Sequence, residues 1–547
     1  MNLEALLAER LAAALAAVAG RPVDPAVRTS QHADFQSNAV LALARGVHRP
    51  PREVAAEVAA RADLAGLAAV EVSGPGFLNL RIDDGFLTTA LASIDDRLGV
   101  PPVARPERIV LDYSGPNVAK EMHVGNVRST IIGDALARIL EWQGHEVIRV
   151  NHLGDWGTPF GMLIEQMVDT GGGAGHSLGD LTALYRDGRA RFDADEDFRR
   201  RAQLRVVALQ GGDPLSRDLW RRLVGQSEEA FLDTYARLGV TLTPGDFVGE
   251  SFYQDRLPSI LDELGGRGLL VESDGALCAF PPGFAGRDGE PLPLLVRKSD
   301  GGFGYAATDL AALRHRVFDL KASRLLYVVG APQRTHFAMV FAVARQAGWL
   351  TPDVVAEHIE FGSILGTDGK MLRTRAGDSV KLSGLLDEAD ARASSHAVGI
   401  AAIKYADLSA DRRSDYVFDW DRMLASTGNT GPYLQYAYAR VRSLFQRAGG
   451  DAEVGAVLLG EPAERALALA LLGFEPALTA AAERREPHRL AAHLHDLAVA
   501  FSVFYERCPI LWSAGAIRAS RLALADLTAR TLQRGLTLLG IELPAEM

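Results

Sequence analysis

Between residues 108 and 150 the chain sets out a strand, a glycine-punctuated loop, a long helix and a second strand. This order restricts the fold more than any other feature. Ile109, Val110 and Leu111 mark the first strand, within residues 108–112. The helix is predicted over 124–143, with Ile132, Ala135, Leu136, Ile139 and Leu140 on one face and Gly144 as its stop. The second strand covers 146–150. Together they form one βαβ unit, which opens a doubly wound parallel sheet that binds ligands at the carboxyl edge of its strands.

At 547 residues the chain is too long for one hydrophobic core. Residues 1–105 read as a small N-terminal α+β domain: an opening helix carrying Leu3, Leu7, Leu11 and Leu15, a helix near 52–65, and strands at 69–72 and 77–81. The prolines at 101, 102 and 106 mark a linker. Residues 106–390 read as a Rossmann-type α/β core with an insertion at about 160–300. The sheet is predicted to resume at 304–307 and 324–329, followed by a Gly-rich loop at 362–377. Residues 391–547 are helical in pattern and predict an all-α bundle. The glycine run at 171–175 follows no strand and ends in no Gly-Lys-Ser/Thr, so it reads as a surface loop and not a phosphate cradle.

Two cysteines, Cys278 and Cys508, each without a Cys or His at ligand spacing, exclude a disulfide scaffold and a Cys-based zinc site. No protein-bound metal is expected, and a reducing cytoplasm is. The first ten residues contain Glu4 and Glu9 and no basic leader, unlike a signal peptide. No window holds the roughly 18 uninterrupted apolar residues of a membrane span, so no membrane partner is expected. The net charge of −11 disfavours a global field attracting nucleic acid. From residue 396 onward, however, 16 Lys and Arg face 17 Asp and Glu, so local basic patches are available there.

The loop before the first long helix carries Asn117, Lys120, His123, Gly125 and Asn126. Gly125 lets backbone approach a nucleotide closely, and the helix N-terminus offers free N–H groups to phosphate. Lys120 and His123 supply donors for charge that builds on an α-phosphate during attack. The plain alternative is a loop whose Lys and His are only solvated. Further along, Tyr305 and Asp309 stand one helical turn apart and Glu250 sits among turn-forming residues; carboxylates framed by an aromatic suit a planar guanidinium. Taken alone, Asp309 reads more readily as a solvated helix acid and Gln333 as a surface residue.

His123-Val124-Gly125-Asn126 resembles the His-Ile-Gly-His motif of class I aminoacyl-tRNA synthetases. The extended run from Pro116 through Asp134, with Asn151-His152-Leu153-Gly154-Asp155-Trp156-Gly157, is similar to the arginyl-tRNA synthetases. Leu365-Gly366-Thr367-Asp368-Gly369-Lys370-Met371-Leu372-Arg373-Thr374-Arg375 resembles that family's degenerate second motif, and the resemblance covers essentially the whole chain. It implies catalytic roles for Lys120, His123, Asn126, Lys370, Arg373, Thr374 and Arg375, with Lys120 replacing a lysine lost from the second motif. It also implies ATP contacts at Lys120, His123, Gly125 and Asn126. Arginine would be held by Glu250, Tyr305, Asp309 and Gln333, with Asn117 at its α-amino or carboxylate end. Tyr433, Tyr436, Arg440 and Tyr505 would contact the anticodon, and Phe77 and Asn79 the tRNA elbow; half-buried core tyrosines and a buried strand Phe are the plain alternatives.

The implied reaction joins L-arginine to tRNA(Arg). Arginine attacks the α-phosphate of ATP, with Mg2+ on the phosphates, and the adenylate then acylates the terminal ribose at its 2′-hydroxyl. tRNA is implied to bind before activation, and a monomer is expected. Three departures stand out: Asn126 in place of the second motif histidine, a short stretch between 389 and 398, and Pro332 beside Gln333. They suit a specialised second copy as well as a housekeeping enzyme; Asn126 and the short stretch favour a non-catalytic tRNA-binding paralogue as one rival, and a tRNA-independent amino-acid-adenylating enzyme is the other. Intact Lys120, His123, Glu250 and Asp309 oppose the paralogue, and the tyrosine-rich bundle opposes the adenylating enzyme.

Overall fold

The structure is a computed structural model that describes residues 1–171, 178–286, 288–299, 301–373, 380–449 and 454–544. Most of the glycine run at 171–175, and both Thr374 and Arg375, lie outside the described residues.

Five parallel strands form the central sheet, in the order Val355–His358, Arg324–Tyr327, Arg108–Asp112, Glu146–Leu153 and Phe247–Gly249. Arg108–Asp112 lies in the middle, in register with both neighbours: Ile109 stands opposite Arg324 and Val147. Its alternate residues feed two separate cores. Ile109 and Leu111 pack with Ile131, Ile132, Leu136 and Ile139 of the helix Val124–Trp142, whereas Val110 packs with Leu310, Leu313, Val340 and Val343 of the helices Tyr305–Phe318 and Arg334–Gln346. All eleven are 0–1 % exposed. Burial of each side chain stabilises by about 1.5–3 kcal/mol, which is why a strand covered on both sides reads as an unbroken apolar run.

The strand expected at 304–307 is instead the start of the helix Tyr305–Phe318, with Gly304 as its N-cap. Ala306, Ala307, Ala311 and Ala312 are strong helix formers, and they decide the local structure. The remaining sheet strands come from Phe247–Gly249 and Val355–His358, three and four residues long, too short to show a period in sequence. The intervening chain contributes the helices Thr158–Asp169, Leu178–Ala194, Glu196–Gln210 and Pro214–Leu238, then a three-stranded antiparallel sheet.

Near the amino terminus, a four-stranded antiparallel sheet orders Val27–Thr29, Phe35–Ser37, Phe77–Ile82 and Ala68–Ser73, with the helices Leu3–Ala19 and Pro51–Arg61 packed nearby. The carboxyl-terminal region packs His396–Leu408, Gly431–Ala448, Pro462–Leu472, Phe474–Arg484, His488–Arg507 and Gly515–Leu538 as a bundle. One stretch, Pro462–Arg484, is long and apolar enough to cross a membrane by length and composition. Its Leu467, Leu471, Phe474 and Leu478 are 0–2 % exposed, as in a bundle core.

The short connection between Leu382–Arg392 and His396–Leu408 is clamped from the side. Arg237 pairs with Asp387 at 2.8 Å and Asp390 at 3.1 Å, and His396 Nδ1 lies 2.6 Å from Asp390 Oδ1.

Candidate functional site

The loop after the central strand is fixed by backbone hydrogen bonds to several elements. Gly115 N donates to Asn151 Oδ1 at 2.9 Å, Val118 N to Gly154 O at 3.0 Å, and Ala119 N to Ser227 Oγ at 2.9 Å. Ser114 and Ala119 adopt φ of 74° and 62°, left-handed conformations that L residues hold only when their surroundings impose them. Asn117 lies against Gly154; a Cβ there would stand 2.4 Å from Asn117 Oδ1, so any larger residue would displace the Asn117 amide.

His123 is the N-cap of the helix Val124–Trp142. Its Nδ1 accepts from Gly125 N at 3.0 Å, and Asn126 Oδ1 accepts from His123 N at 3.1 Å. These reciprocal bonds form a capping box. Since Nδ1 accepts, the neutral ring carries its proton on Nε2 and offers it as a donor. Desolvation and the nearby Lys120 ammonium hold its pKa below the ordinary value. Asn126 thus has a role a neutral capping acceptor fills well. Gly125 has a local reason too: a Cβ would stand 2.8 Å from the His123 ring. Lys120 Nζ lies 4.3 Å from the ring centroid of Tyr185, a cation–π contact from the insertion.

The acidic cluster forms where the sheet meets the insertion. Glu250 feels the charges of Asp155 and Asp309, and burial together with those charges pushes its pKa up to about 8. Asp155 is held by Ser251, N at 2.9 Å and Oγ at 2.6 Å. Asp309 Oδ2 lies 2.6 Å from His336 Nε2. Tyr305, 76 % exposed, stands in the first turn of its helix; desolvation of its hydroxyl and then the charge of Glu250 raise its pKa. Glu250, Tyr305 and Asp309 are therefore brought together. Gln333 ends the short helix Ala331–Gln333, and Gly330-Ala331-Pro332 is anchored by Ala331 N donating to Phe361 O at 3.1 Å. An anion cluster with an aromatic edge and His336 on one side can hold a planar cation.

Lys370 and Arg373 lie elsewhere. With Asp368, Glu388, Arg392, Asp419, Trp420 and Asp421 they line a cavity of about 890 Å³ whose walls include none of Lys120, His123, Glu250 or Asp309. Among the described residues, no group of three or more His, Cys, Asp or Glu could hold a metal ion.

On the bundle, Arg440 lies over Tyr505 at 4.7 Å and Tyr436 at 5.8 Å, making one surface cluster. Tyr436 is 46 % exposed. Tyr433 is half-buried, packed on His495 with its OH 3.4 Å from Ser502 Oγ, so it serves the helix packing. Phe77 and Asn79 lie half-buried on one face of the amino-terminal sheet. Sequence reasoning missed His336 and Tyr185. The spacing of Gln333 and His336 was a signal for the first; nothing local marked the second.

Residues 88–397 match the family described as tRNA synthetases class I (R), catalytic domain; residues 434–547 match the DALR anticodon binding domain, and residues 2–82 the arginyl tRNA synthetase N terminal domain. The parallel sheet and its capped motif helix are thus those of a class I aminoacyl-tRNA synthetase. Curated relatives named arginine–tRNA ligase include one from Thermobifida fusca, 50 % identical over 100 % of this chain and 99 % of that one, and one from Frankia casuarinae, 52 % identical over 96 % and 95 %. The arginyl-tRNA synthetases of Plasmodium falciparum and Thermus thermophilus superpose with TM-scores of 0.85 and 0.83, at 27 % and 26 % identity; each comparison covers 100 % of this chain and 99 % or 100 % of the other. This chain belongs to the arginyl-tRNA synthetase family.

Proposed function

We propose that the chain activates L-arginine with ATP and transfers it to the terminal adenosine of tRNA(Arg), working as a cytoplasmic monomer. The observation that carries the reading is the acidic cluster of Glu250, Asp155 and Asp309 beside the capped motif helix. A guanidinium entering it compensates the Glu250 carboxylate, whose pKa burial and the neighbouring acids otherwise push up to about 8.

In this reading Glu250 and Asp309 take the arginine side chain, framed by Tyr305 and Gln333, and Asn117 holds the α-amino or carboxylate end. The arginine carboxylate attacks the α-phosphate of ATP, which arrives with Mg2+ as part of the substrate; the bond to the β-phosphate breaks, and pyrophosphate leaves arginyl-adenylate behind. His123 donates from Nε2, Lys120 leaves Tyr185 for the phosphate charge, and the N–H groups at the helix start complete the anion site. Gly125 and Asn126 support ATP by keeping His123 in its cap. Lys370 and Arg373 act from a loop that must close on the nucleotide, and the resemblance gives the same role to Thr374 and Arg375, which lie outside the described residues. Tyr436, Arg440 and Tyr505, with Tyr433 behind them, face the anticodon, and Phe77 and Asn79 face the tRNA elbow.

Arginine-dependent ATP–pyrophosphate exchange, measured with and without tRNA, tests the reading. Exchange only with tRNA is the expected result. Exchange without tRNA would mark a tRNA-independent adenylating enzyme, and tRNA binding with no exchange a non-catalytic paralogue.

A further inference from the structure

The loop before the motif helix is paired through its backbone with the chain that follows the second motif. Val124 N donates to Val380 O at 2.8 Å and Leu382 N to Met122 O at 2.9 Å, and His123 and Lys381 stand opposite each other in an antiparallel bridge. Opposed residues in such a pair send their side chains to one side, with Cβ atoms about 4.5–5.5 Å apart. Lys381 therefore leaves the backbone beside His123, although it belongs to neither motif: it is the N-cap of the helix Leu382–Arg392. Its side chain, 60 % exposed, reaches along the loop to Glu121, with Nζ 2.5 Å from Oε2. Among the described residues Glu121 pairs with no other cation. Its backbone N donates to Thr182 Oγ1 at 3.1 Å, which anchors it to the insertion helix Leu178–Ala194.

A pair this exposed holds weakly, and a triphosphate offers an ammonium more charge than one carboxylate does. Composition points the same way. Of the 58 Lys and Arg residues six are lysine, namely Lys120, Lys298, Lys321, Lys370, Lys381 and Lys404. Arginine, which this chain otherwise uses for its ion pairs, would grip Glu121 better with its planar fork. Lysine offers instead a compact ammonium on a flexible stem that can change partners. With Glu121 holding Lys381, the charge that the His123 ring feels is that of Lys120.

We infer that Lys381 is a further catalytic residue, which leaves Glu121 and donates to the pyrophosphate end of ATP as the adenylate forms. The inference deepens the proposed activation of arginine and rests on it. As the arginine carboxylate oxygen bonds to the α-phosphorus, the bond from that phosphorus to the bridging oxygen breaks. Its electron pair departs with pyrophosphate as negative charge. The Lys381 ammonium meets that charge as a hydrogen-bond donor and keeps its own proton. Glu121 holds the ammonium beside the loop until the nucleotide arrives.

The test is ATP–pyrophosphate exchange by the full chain with arginine and tRNA. Exchange by the unaltered chain comes first, because its absence would remove the proposed function itself. Lys381→Met is then expected to lower kcat about 10²-fold at an unchanged KM for arginine and an unchanged melting temperature. Lys381→Arg, which keeps the charge, should recover part of the rate. A mere tether between the two segments would lose activity equally when the pair is cut from either side. A phosphate donor responds in opposite directions: Glu121→Gln frees the ammonium, so KM for ATP should fall, by up to about fivefold. Undiminished exchange in Lys381→Met, or matching losses in Lys381→Met and Glu121→Gln, overturns the inference. Should Lys381→Met melt lower, Glu121→Gln decides alone, and an unchanged or raised KM for ATP counts against Lys381.

Discussion

Arg128 and Asp407, 279 residues apart in sequence, meet in the protein interior, with Arg128 Nε 3.1 Å from Asp407 Oδ2 and the two side chains 1 % and 0 % exposed. Arg128 belongs to the helix that His123 caps, and Asp407 to the first helix of the bundle. Arg128 Nη1 also donates to Ser414 O at 2.9 Å. One turn before Asp407, the buried Lys404 donates to Leu238 O at 2.9 Å. The nucleotide-motif helix is thus fastened to the bundle by charged groups that water does not reach.

Asp407→Asn leaves the Arg128 charge buried and uncompensated, which costs about 3–5 kcal/mol. A lowered melting temperature is expected by calorimetry. The double change Arg128→Met with Asp407→Leu removes both charges and should melt higher than Asp407→Asn. Equal melting of all three proteins would refute the clamp.

Arginine affinity should rise with pH. Glu250 has its pKa raised to about 8, so below that pH it is protonated in the empty site, and a guanidinium favours the carboxylate. KM for arginine is expected to fall as pH approaches 8 and to level off above it. Calorimetry in two buffers of different ionisation enthalpy should register proton release on binding at pH 7; Glu250→Gln should abolish it. The linkage also has a sign for stability. The folded pKa lies above the ordinary 4.5, so this group's contribution is fully present below 4.5 and is lost as pH rises through about 8. The melting temperature of the arginine-free protein should decline over that window, and by less in Glu250→Gln.

Among the described residues Lys120 has no carboxylate ion-pair partner, and it rests on Tyr185. Lys120→Ala is expected to lower the pyrophosphate-exchange rate by about 10²–10³-fold while changing KM for arginine little, because a donor to developing phosphate charge acts in the transition state. A drop confined to KM would place Lys120 in ground-state binding instead.

Trp512 is 93 % exposed on the loop after the helix His488–Arg507. The loop is held from beneath: Arg521 Nη1 donates to Pro509 O and to Ser513 Oγ, each at 2.9 Å, while Arg521 Nε lies 2.7 Å from Glu464 Oε1. A loop held in this way, presenting a whole indole to water, offers a surface on which an unpaired base can stack. Trp512→Ala should leave the melting temperature within about 0.5 kcal/mol of stability, as for other exposed side chains. KM for tRNA should rise about 5- to 100-fold in filter-binding and charging assays. An unaltered KM would make the residue a bystander.

The sequence by itself determined the βαβ unit, the motif loop and the family. Ile109, Val110 and Leu111 show a strand because burial on both faces demands an unbroken apolar run, and the helix after His123 shows itself by its repeating apolar face. Asp309 followed Tyr305 by one turn, so their shared helix face was legible, although residues 304–307 were also read as a strand. What tertiary structure alone decided are the relations between distant segments. Glu250 acquires its raised pKa only when the insertion folds back to set it beside Asp155 and Asp309. Asn126, in sequence a missing histidine, proves to complete the cap on His123, because its oxygen faces a backbone N–H that only the loop's turn exposes. Residue order specifies which groups can donate or accept. Which of them meet, and which lose their water, depends on chain closure over tens to hundreds of residues, and no local pattern records that.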